Sequence, residues 1–322
     1  MRLLITGAAG FIGSNYLRHV LNTSDHAVVA FDALTYAGNL DSIKDLLGDR
    51  ASFVHGDITD RSAVRSAMAD CDQVVHFAAE SHVDRSISGP DAFVYTNCFG
   101  TSVLCDAARR VGVERFVHVS TDEVYGSVEA GSSLETDAVA PRSPYAASKA
   151  GSDLIALSYF STHGLPVIVT RASNNYGPFQ FPEKAIPLFA TSLLDGASVP
   201  LYGDGLNIRD WLHVDDHCAA IDTILSKGSC GEIYNVGAGN EITNRDLAER
   251  LLELCGRDES AVEYVPDRPG HDRRYSLDCT KLRALGWAPR QNLAGGLAKT
   301  VDWYRTNRGW WEALKNRVVE RP

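Results

Sequence analysis

Short apolar runs alternate with helical stretches through the first half of the chain. Arg2–Thr6 and Ala27–Asp32 read as strands, as do 52–55, 73–78 and 115–120, rich in Val and Phe and bounded by Gly, Asp or Ser. Helical spacing fills the gaps, notably over 11–21 and 91–111. Strand–helix alternation of this length predicts an α/β chain: a Rossmann-type doubly wound parallel sheet with right-handed crossovers and helices on both faces. Ser143 and Pro144 form an N-cap and a first-turn proline, and Gly164 is a stop. A helix is therefore expected over 145–162, with a sixth strand at 167–171. After that the pattern loosens. Residues 173–184, with Asn174-Asn175, Gly177-Pro178 and Pro182, read as loop, and so do 268–271. The expected organisation is a first domain over 1–172 and a smaller C-terminal α/β domain over 173–322. Segments near 207–238, around 208–225 and 233–236, are expected to return to the first sheet.

Composition narrows the picture only a little. The chain has 322 residues, 44% hydrophobic and 22% charged, an ordinary globular balance for about two domains. A formal net charge of −10 argues against nucleic acid or an anionic membrane as partner. An anionic ligand would need a local cluster of Arg and Lys. The cysteines (71, 98, 105, 218, 230, 255 and 279) are odd in number, scattered, and form no CxxC pair. A reducing compartment, the cytoplasm, is expected. No charged start precedes a long apolar run, so neither signal peptide nor membrane span is expected.

Candidate chemistry starts at the first turn. Gly7-Ala8-Ala9-Gly10-Phe11-Ile12-Gly13 follows a strand and opens a helix. Glycines there permit a tight turn, close approach of a pyrophosphate and close helix–strand packing, and the helix N-terminus supplies free N–H groups. Asp32 ends the second strand at about the 20-residue spacing of a ribose-binding carboxylate, and no Arg stands beside it. These residues favour NAD over NADP. Asp57-Ile58 and Phe77-Ala78-Ala79-Glu80-Ser81 end the third and fourth strands, the edge where such sheets bind ligands.

Tyr145 and Lys149 stand four apart on one helix face. A neighbouring ammonium favours phenolate, so Lys149 is expected to lower the Tyr145 pKa. Ser120-Thr121 ends the fifth strand, and Asp122-Glu123 follows directly. Oxidation needs only the Tyr/Lys pair. Two adjacent carboxylates offer an acid and a second base, which points to a longer reaction containing an elimination. His213-Val214-Asp215-Asp216-His217 has metal-like spacing, but this chemistry needs no metal. Asp215 is expected to cap the helix that follows, and no metal site is expected. Asn97 and Gly100 are read as stabilising their helix, and Trp310-Trp311 as packing the last one.

The glycine turn, the acidic second-strand end and Tyr-x-x-x-Lys resemble the extended short-chain dehydrogenase/reductase superfamily. Within it, five segments resemble the dTDP-glucose 4,6-dehydratases: 120–126 (STDEVYG), 79–86 (AESHVDRS), 174–178 (NNYGP), 182–184 (PEK) and 267–272 (DRPGHD). The resemblance covers nearly the whole chain. It implies that Tyr145 takes the C4 hydroxyl proton of glucose, with Lys149 at the nicotinamide ribose. Glu123 would remove the C5 proton, a protonated Asp122 would donate to the leaving C6 hydroxyl, and Thr121 would bond the C4 oxygen. NAD would stay tightly bound and be regenerated. Leu34, Thr35, Thr96 and Asn175 join the implied cofactor contacts, and Ser81 serves both cofactor and substrate. For dTDP-glucose, the resemblance implies Arg209 at the diphosphate with Asn244 assisting, and Asn174 at the sugar or its phosphate. It places Glu183, Lys184, Pro200 and Tyr202 along the nucleotide, with Arg268 and His271 closing over it; Arg273 is a further candidate cation. A homodimer through a four-helix bundle is expected, with Ala146, Ala150, Leu154, Leu157 and Phe160 on the outer side of the helix 145–162.

Three alternatives differ in what they require. An NAD-dependent nucleotide-sugar 4-epimerase needs no acid/base pair for loss of water. A GDP-mannose 4,6-dehydratase would favour NADP and basic residues where this chain has Asp32-Ala33-Leu34-Thr35. A non-catalytic dinucleotide sensor on the same fold need keep neither Tyr145 nor the carboxylates.

Overall fold

The sheet that the apolar runs predict is present and entirely parallel. In the computed structural model, which describes residues 1–319 and the side chains of 1–315, the strands are β1 (Arg2–Thr6), β2 (Ala27–Asp32), β3 (Ala51–His55), β4 (Gln73–His76), β5 (Arg115–Thr121), β6 (Val167–Ala172), β7 (Asn174–Tyr176), β8 (Val199–Tyr202), β9 (Ile208–His213), β10 (Ile233–Val236), β11 (Glu241–Thr243) and β12 (Val262–Val265). Seven of them form the main sheet in the order β3-β2-β1-β4-β5-β6-β10. The strand order reverses beside β1, the switch point where such sheets bind ligands. Buried on both faces, the central strands need near-continuous apolar side chains, as β1 and β6 show.

Helices α1 (Phe11–Thr23), α2 (Arg61–Met68), α3 (Val83–Ser88), α4 (Pro90–Phe93), α5 (Thr101–Val111), α6 (Pro144–His163), α7 (Ala185–Leu194), α8 (Val214–Lys227), α9 (Asn244–Cys255), α10 (Thr280–Ala284), α11 (Leu293–Thr306) and α12 (Arg308–Val319) complete the fold. One apolar cluster holds α1 and α8 on one face of the sheet, and another holds α2, α5 and α6 on the opposite face. A third core joins α7, α9 and α11 around Trp211 and Trp311.

Several expectations are corrected. The helix expected over 91–111 is α4, a π-helical segment Val94–Gly100, and α5. Asn97 inside that segment ties the loop after β4 to α6: its side chain bonds the Glu80 backbone at 2.9 and 3.0 Å and Ser148 Oγ at 2.8 Å. Of the returning segments only 233–236 enters the main sheet. Strand β9 instead pairs with β7 and β11, because β7 forms where loop was expected. His213, not Asp215, caps α8, its Nδ1 taking the Asp215 N–H at 3.2 Å.

Helix α6 carries the tyrosine and lysine singled out above. Ser143 Oγ accepts the Ala146 N–H at 3.1 Å, Pro144 sits in the first turn, and Gly164 ends the helix at φ +69°. Its buried stripe is largely polar: Tyr145, Ser148, Lys149, Ser152 and Asp153. Ala146 and Ala150 are buried within the same chain, which removes them from the expected outer face, while Leu154 and Phe160 remain on it.

Candidate active site

The turn after β1 has no room for a side chain at Gly7 or Gly13. A Cβ at Gly7, which lies at φ +68°, would come within 2.7 Å of the Ala78 nitrogen, and one at Gly13 within 2.1 Å of the Gly7 oxygen. Gly10 caps α1 without a side-chain bond, so the first-turn N–H groups stay available. Asp32 closes the cradle. Its Oδ2 accepts the Ala9 N–H at 2.9 Å and its Oδ1 the Leu34 N–H at 2.7 Å. Burial raises its pKa against those bonds. A glycine cradle, an open helix N-terminus and a buried carboxylate at the next strand end fit the pyrophosphate and ribose of a dinucleotide.

From here a cleft of about 550 Å³ runs over the carboxyl ends of β1, β2, β4 and β5 and up to the third core. Gly10, Phe11, Ile12, Thr35, Asp57, Ile58, Phe77, Ala78, Ala79, Ser81, Thr96 and Asn175 all line it. Leu34 is the exception among the expected cofactor contacts. Its backbone turns to φ +50° to serve Asp32, and its side chain packs against the core beneath.

The catalytic candidates meet in mid-cleft. Thr121 ends β5 and caps a short 3₁₀ turn, its Oγ1 taking the Glu123 N–H at 3.3 Å. Asp122 is 3% exposed, and its Oδ2 has no hydrogen-bond partner. Burial, and then the charge of Glu123, push the Asp122 carboxyl well above the usual range. Glu123 stands at the cleft face. Burial raises its pKa too, but Lys184, Arg268 and Arg209 pull against it. Both neighbours are thus pushed up, Asp122 the more strongly, while three cations hold Glu123 back.

Tyr145 and Lys149 line the same wall. The expected lowering of the Tyr145 pKa is not found. Burial raises it strongly and the Glu123 charge adds to that, with only Thr121 opposing. Lys149 Nζ is committed to the Val119 carbonyl at 2.8 Å. Burial pushes Lys149 down to about 8, with Asp153 as the main opposing charge. Both burial and the Glu123 charge thus favour the protonated phenol.

The cations expected on the substrate side converge, with one exception. Arg209 is 5% exposed at the cleft wall. Lys184 Nζ bonds the Ser81 carbonyl at 2.7 Å, Arg268 Nη1 meets Asp84 Oδ1 at 3.0 Å, and His271 Nδ1 lies 2.6 Å from Asp267 Oδ1. Asn174, Asn244, Pro200 and Tyr202 complete that end. Glu183 lines the cleft with its carboxylate committed to Arg85 at 3.0 Å, beside His82 at 3.7 Å. Arg273 lies on the surface, paired with Asp204 at 2.9 Å, and takes no part. His217 bonds Asn175 Oδ1 at 2.8 Å, so the spaced histidines serve as a helix cap and an asparagine tether. Leu188, Phe189, Trp211 and Leu247 also face the cleft. Nothing in the sequence separates them from core positions on the same elements.

A family model described as GDP-mannose 4,6 dehydratase matches residues 4–300. The chain is 58% identical to a dTDP-glucose 4,6-dehydratase of Streptomyces antibioticus over 98% of its own length and 96% of the relative's. It superposes with a TM-score of 0.96, at 55% identity and covering 98% of this chain and 100% of the other, on DesIV (dTDP-glucose 4,6-dehydratase) from Streptomyces venezuelae, solved with NAD bound. A UDP-glucose 4-epimerase of Thermus thermophilus in complex with NAD is similar at 33% identity and a TM-score of 0.89, covering 95% of this chain and 100% of the epimerase.

Proposed function

The chain belongs to the GDP-mannose 4,6 dehydratase family and, within it, to the dTDP-glucose 4,6-dehydratases, and from that premise we infer that its cleft turns dTDP-glucose into dTDP-4-dehydro-6-deoxyglucose and water. The observation that carries this reading is the pair Asp122-Glu123, two adjacent carboxyls that both line the cleft beside Tyr145, with Asp122 the more deeply buried. An epimerase has no use for that pair, and the dehydratase relatives are far more similar than the epimerase.

Gly7, Gly10, Gly13 and Asp32 would hold NAD, and Lys149, which lines the same cleft, would serve its nicotinamide ribose. The chemistry NAD would supply when bound is that of a hydride acceptor for glucose C4 and, once reduced, a hydride donor to C6. Tyr145 takes the C4 hydroxyl proton as base, against the upward push of burial on its pKa. Thr121 bonds the resulting carbonyl oxygen and polarises it. The ketone acidifies C5–H, and Glu123, ionised, removes that proton. Asp122, kept protonated by burial, delivers its proton to the C6 hydroxyl, which leaves as water. Glu123 then returns its proton to C5. Arg209, Lys184, Arg268 and His271 supply the cationic and N–H groups for the diphosphate, and Asn174 and Asn244 the neutral donors. In this reading 1–172 with β10 serve the cofactor and most of 173–322 serves the nucleotide. The cytoplasm is the proposed compartment, consistent with seven free cysteines and with no membrane-length apolar helix among the described residues.

Incubating the purified protein with dTDP-glucose in D2O, without added cofactor, tests the reading by mass spectrometry. Loss of one water with gain of one non-exchanging deuterium is expected. A product isomeric with the substrate would replace this reading with the epimerase one.

We also propose a homodimer. On α6 Leu154 is 59% exposed, and on the neighbouring helical segment Tyr95 is 57% and Val94 54% exposed. An apolar face of this kind is what a helix-to-helix dimer buries. Light scattering should give twice the chain mass at micromolar concentration, and Leu154→Arg should shift it to monomer. A wild-type monomer under those conditions would defeat the proposal.

A further inference from the structure

Arg209 is held by a residue that the cleft itself does not contain. Its Nη1 donates to the Ile208 carbonyl at 2.7 Å and its Nη2 to the Asp272 carbonyl at 2.8 Å. Beneath the guanidinium, 4.2 Å from its carbon, lies the ring of Tyr275. The Tyr275 hydroxyl donates to Asp272 Oδ2 at 2.8 Å, so the ring and the carbonyl that brace Arg209 are themselves joined. Asn207 Nδ2 steadies the same Asp272 carbonyl at 3.1 Å. Tyr275 is buried and absent from the cleft lining, so it reaches the ligand only through Arg209. An arginine has five N–H donors. The two carbonyl bonds commit one donor on each terminal nitrogen, and the face stacked on the ring fixes the plane in which the others point.

We propose that Tyr275 is a positioning residue for the substrate diphosphate, setting the plane of Arg209 with Asp272 so that the free donors meet the phosphate oxygens already oriented. The proposal rests on the reading of Arg209 as a diphosphate ligand. A guanidinium fixed in advance loses less freedom on binding and keeps its forked geometry for oxygen pairs. Asp272 also ends the 267–272 loop that carries Arg268 and His271. The same brace therefore registers that loop against β9.

The test measures binding of dTDP and of thymidine to the full-length, NAD-loaded protein by calorimetry. Five proteins are compared: wild type, Tyr275→Leu, Tyr275→Phe, Arg209→Met and the double variant Tyr275→Phe/Arg209→Met. Losing a desolvated cation–π brace should weaken dTDP about thirtyfold in Tyr275→Leu and leave thymidine unchanged. Tyr275→Phe keeps the ring and loses the Asp272 tether. It should fold as wild type and weaken dTDP about threefold, again sparing thymidine. Adding Tyr275→Phe to Arg209→Met should cost nothing further. Equal weakening of dTDP and thymidine in both Tyr275 variants would mean a merely structural residue and overturns the proposal. So does wild-type affinity for dTDP in both. If Arg209→Met itself binds dTDP as wild type, the diphosphate reading falls and takes this proposal with it.

Discussion

Glu123→Gln should lower kcat by a factor on the order of 10²–10⁴, the usual worth of a positioned general base, with dTDP affinity and NAD content unchanged. The amide keeps the shape of Glu123 and cannot take the C5 proton. In D2O the variant should place no deuterium at C5 and release no water. Asp122→Asn should lose water release as severely, because an amide has no proton to give the C6 hydroxyl. The pH profile carries the same assignment. Glu123 works ionised, so activity rises with pH through its pKa. That limb should lie above the usual glutamate range, because burial outweighs Lys184, Arg268 and Arg209. Asp122 works protonated, so activity falls as it ionises. Its limb should lie higher still, since burial and the Glu123 charge both raise it. A single-limbed profile, or deuterium at C5 in Glu123→Gln at the wild-type rate, would remove the two carboxylates from these roles.

What could be read from the sequence depended on how local its cause is. Gly7, Gly10, Gly13 and Asp32 were legible because a turn of fixed length sets their spacing, and at Gly7 and Gly13 backbone fills the space that a side chain would need. The alternation of apolar runs gave the main sheet for a similar reason, since pleat and helix periods are local. The limits came from long-range causes. Asp122 and Glu123 are adjacent and look alike in sequence; only burial and cations from β9 and two distant loops tell them apart. Tyr145 has Lys149 one turn away, yet the charge that acts on it is Glu123 and the lysine is drawn to Val119. His213 took the cap expected of Asp215 because α8 begins directly after β9, two residues earlier than the cap preference suggests. The brace on Arg209 comes from positions 272 and 275, more than sixty residues away, and has no local signature.

The polar stripe on α6 has the largest consequence for stability. Asp153 is fully buried, with Oδ2 taking Arg171 Nε at 3.0 Å and Oδ1 lying 3.3 Å from His118 Nε2. Arg171 stacks 4.6 Å over the Tyr125 ring, and Tyr125 in turn donates to Asn235 Oδ1 at 2.8 Å. The network thus crosses the sheet from α6 through β5 and β6 to β10. Asp153→Ala would leave the Arg171 charge buried without its counter-ion, a change that costs about 3–5 kcal/mol. Denaturant unfolding at pH 7 should show that loss. A deficit under about 1 kcal/mol, the scale of an exposed pair, would mean that Arg171 finds another partner. Replacing both, Asp153→Leu with Arg171→Met, should recover much of it, since the uncompensated charge goes too. The pH dependence has a definite sign. Burial pushes the Asp153 carboxyl up, but the His118 bond and the Arg171 charge bring it net below the usual range. A depressed pKa contributes stability above the ordinary carboxylate pKa, lost as pH falls through the folded value. The gap between wild type and Asp153→Ala should therefore be full at neutral pH and narrow only in strong acid. Lys149 ties this network to catalysis. Asp153 is the main charge holding it up to about 8 against burial, so Asp153→Asn should move it lower. An ammonium that gives up its proton earlier would show as an activity loss at pH 7 beyond any loss of folded protein.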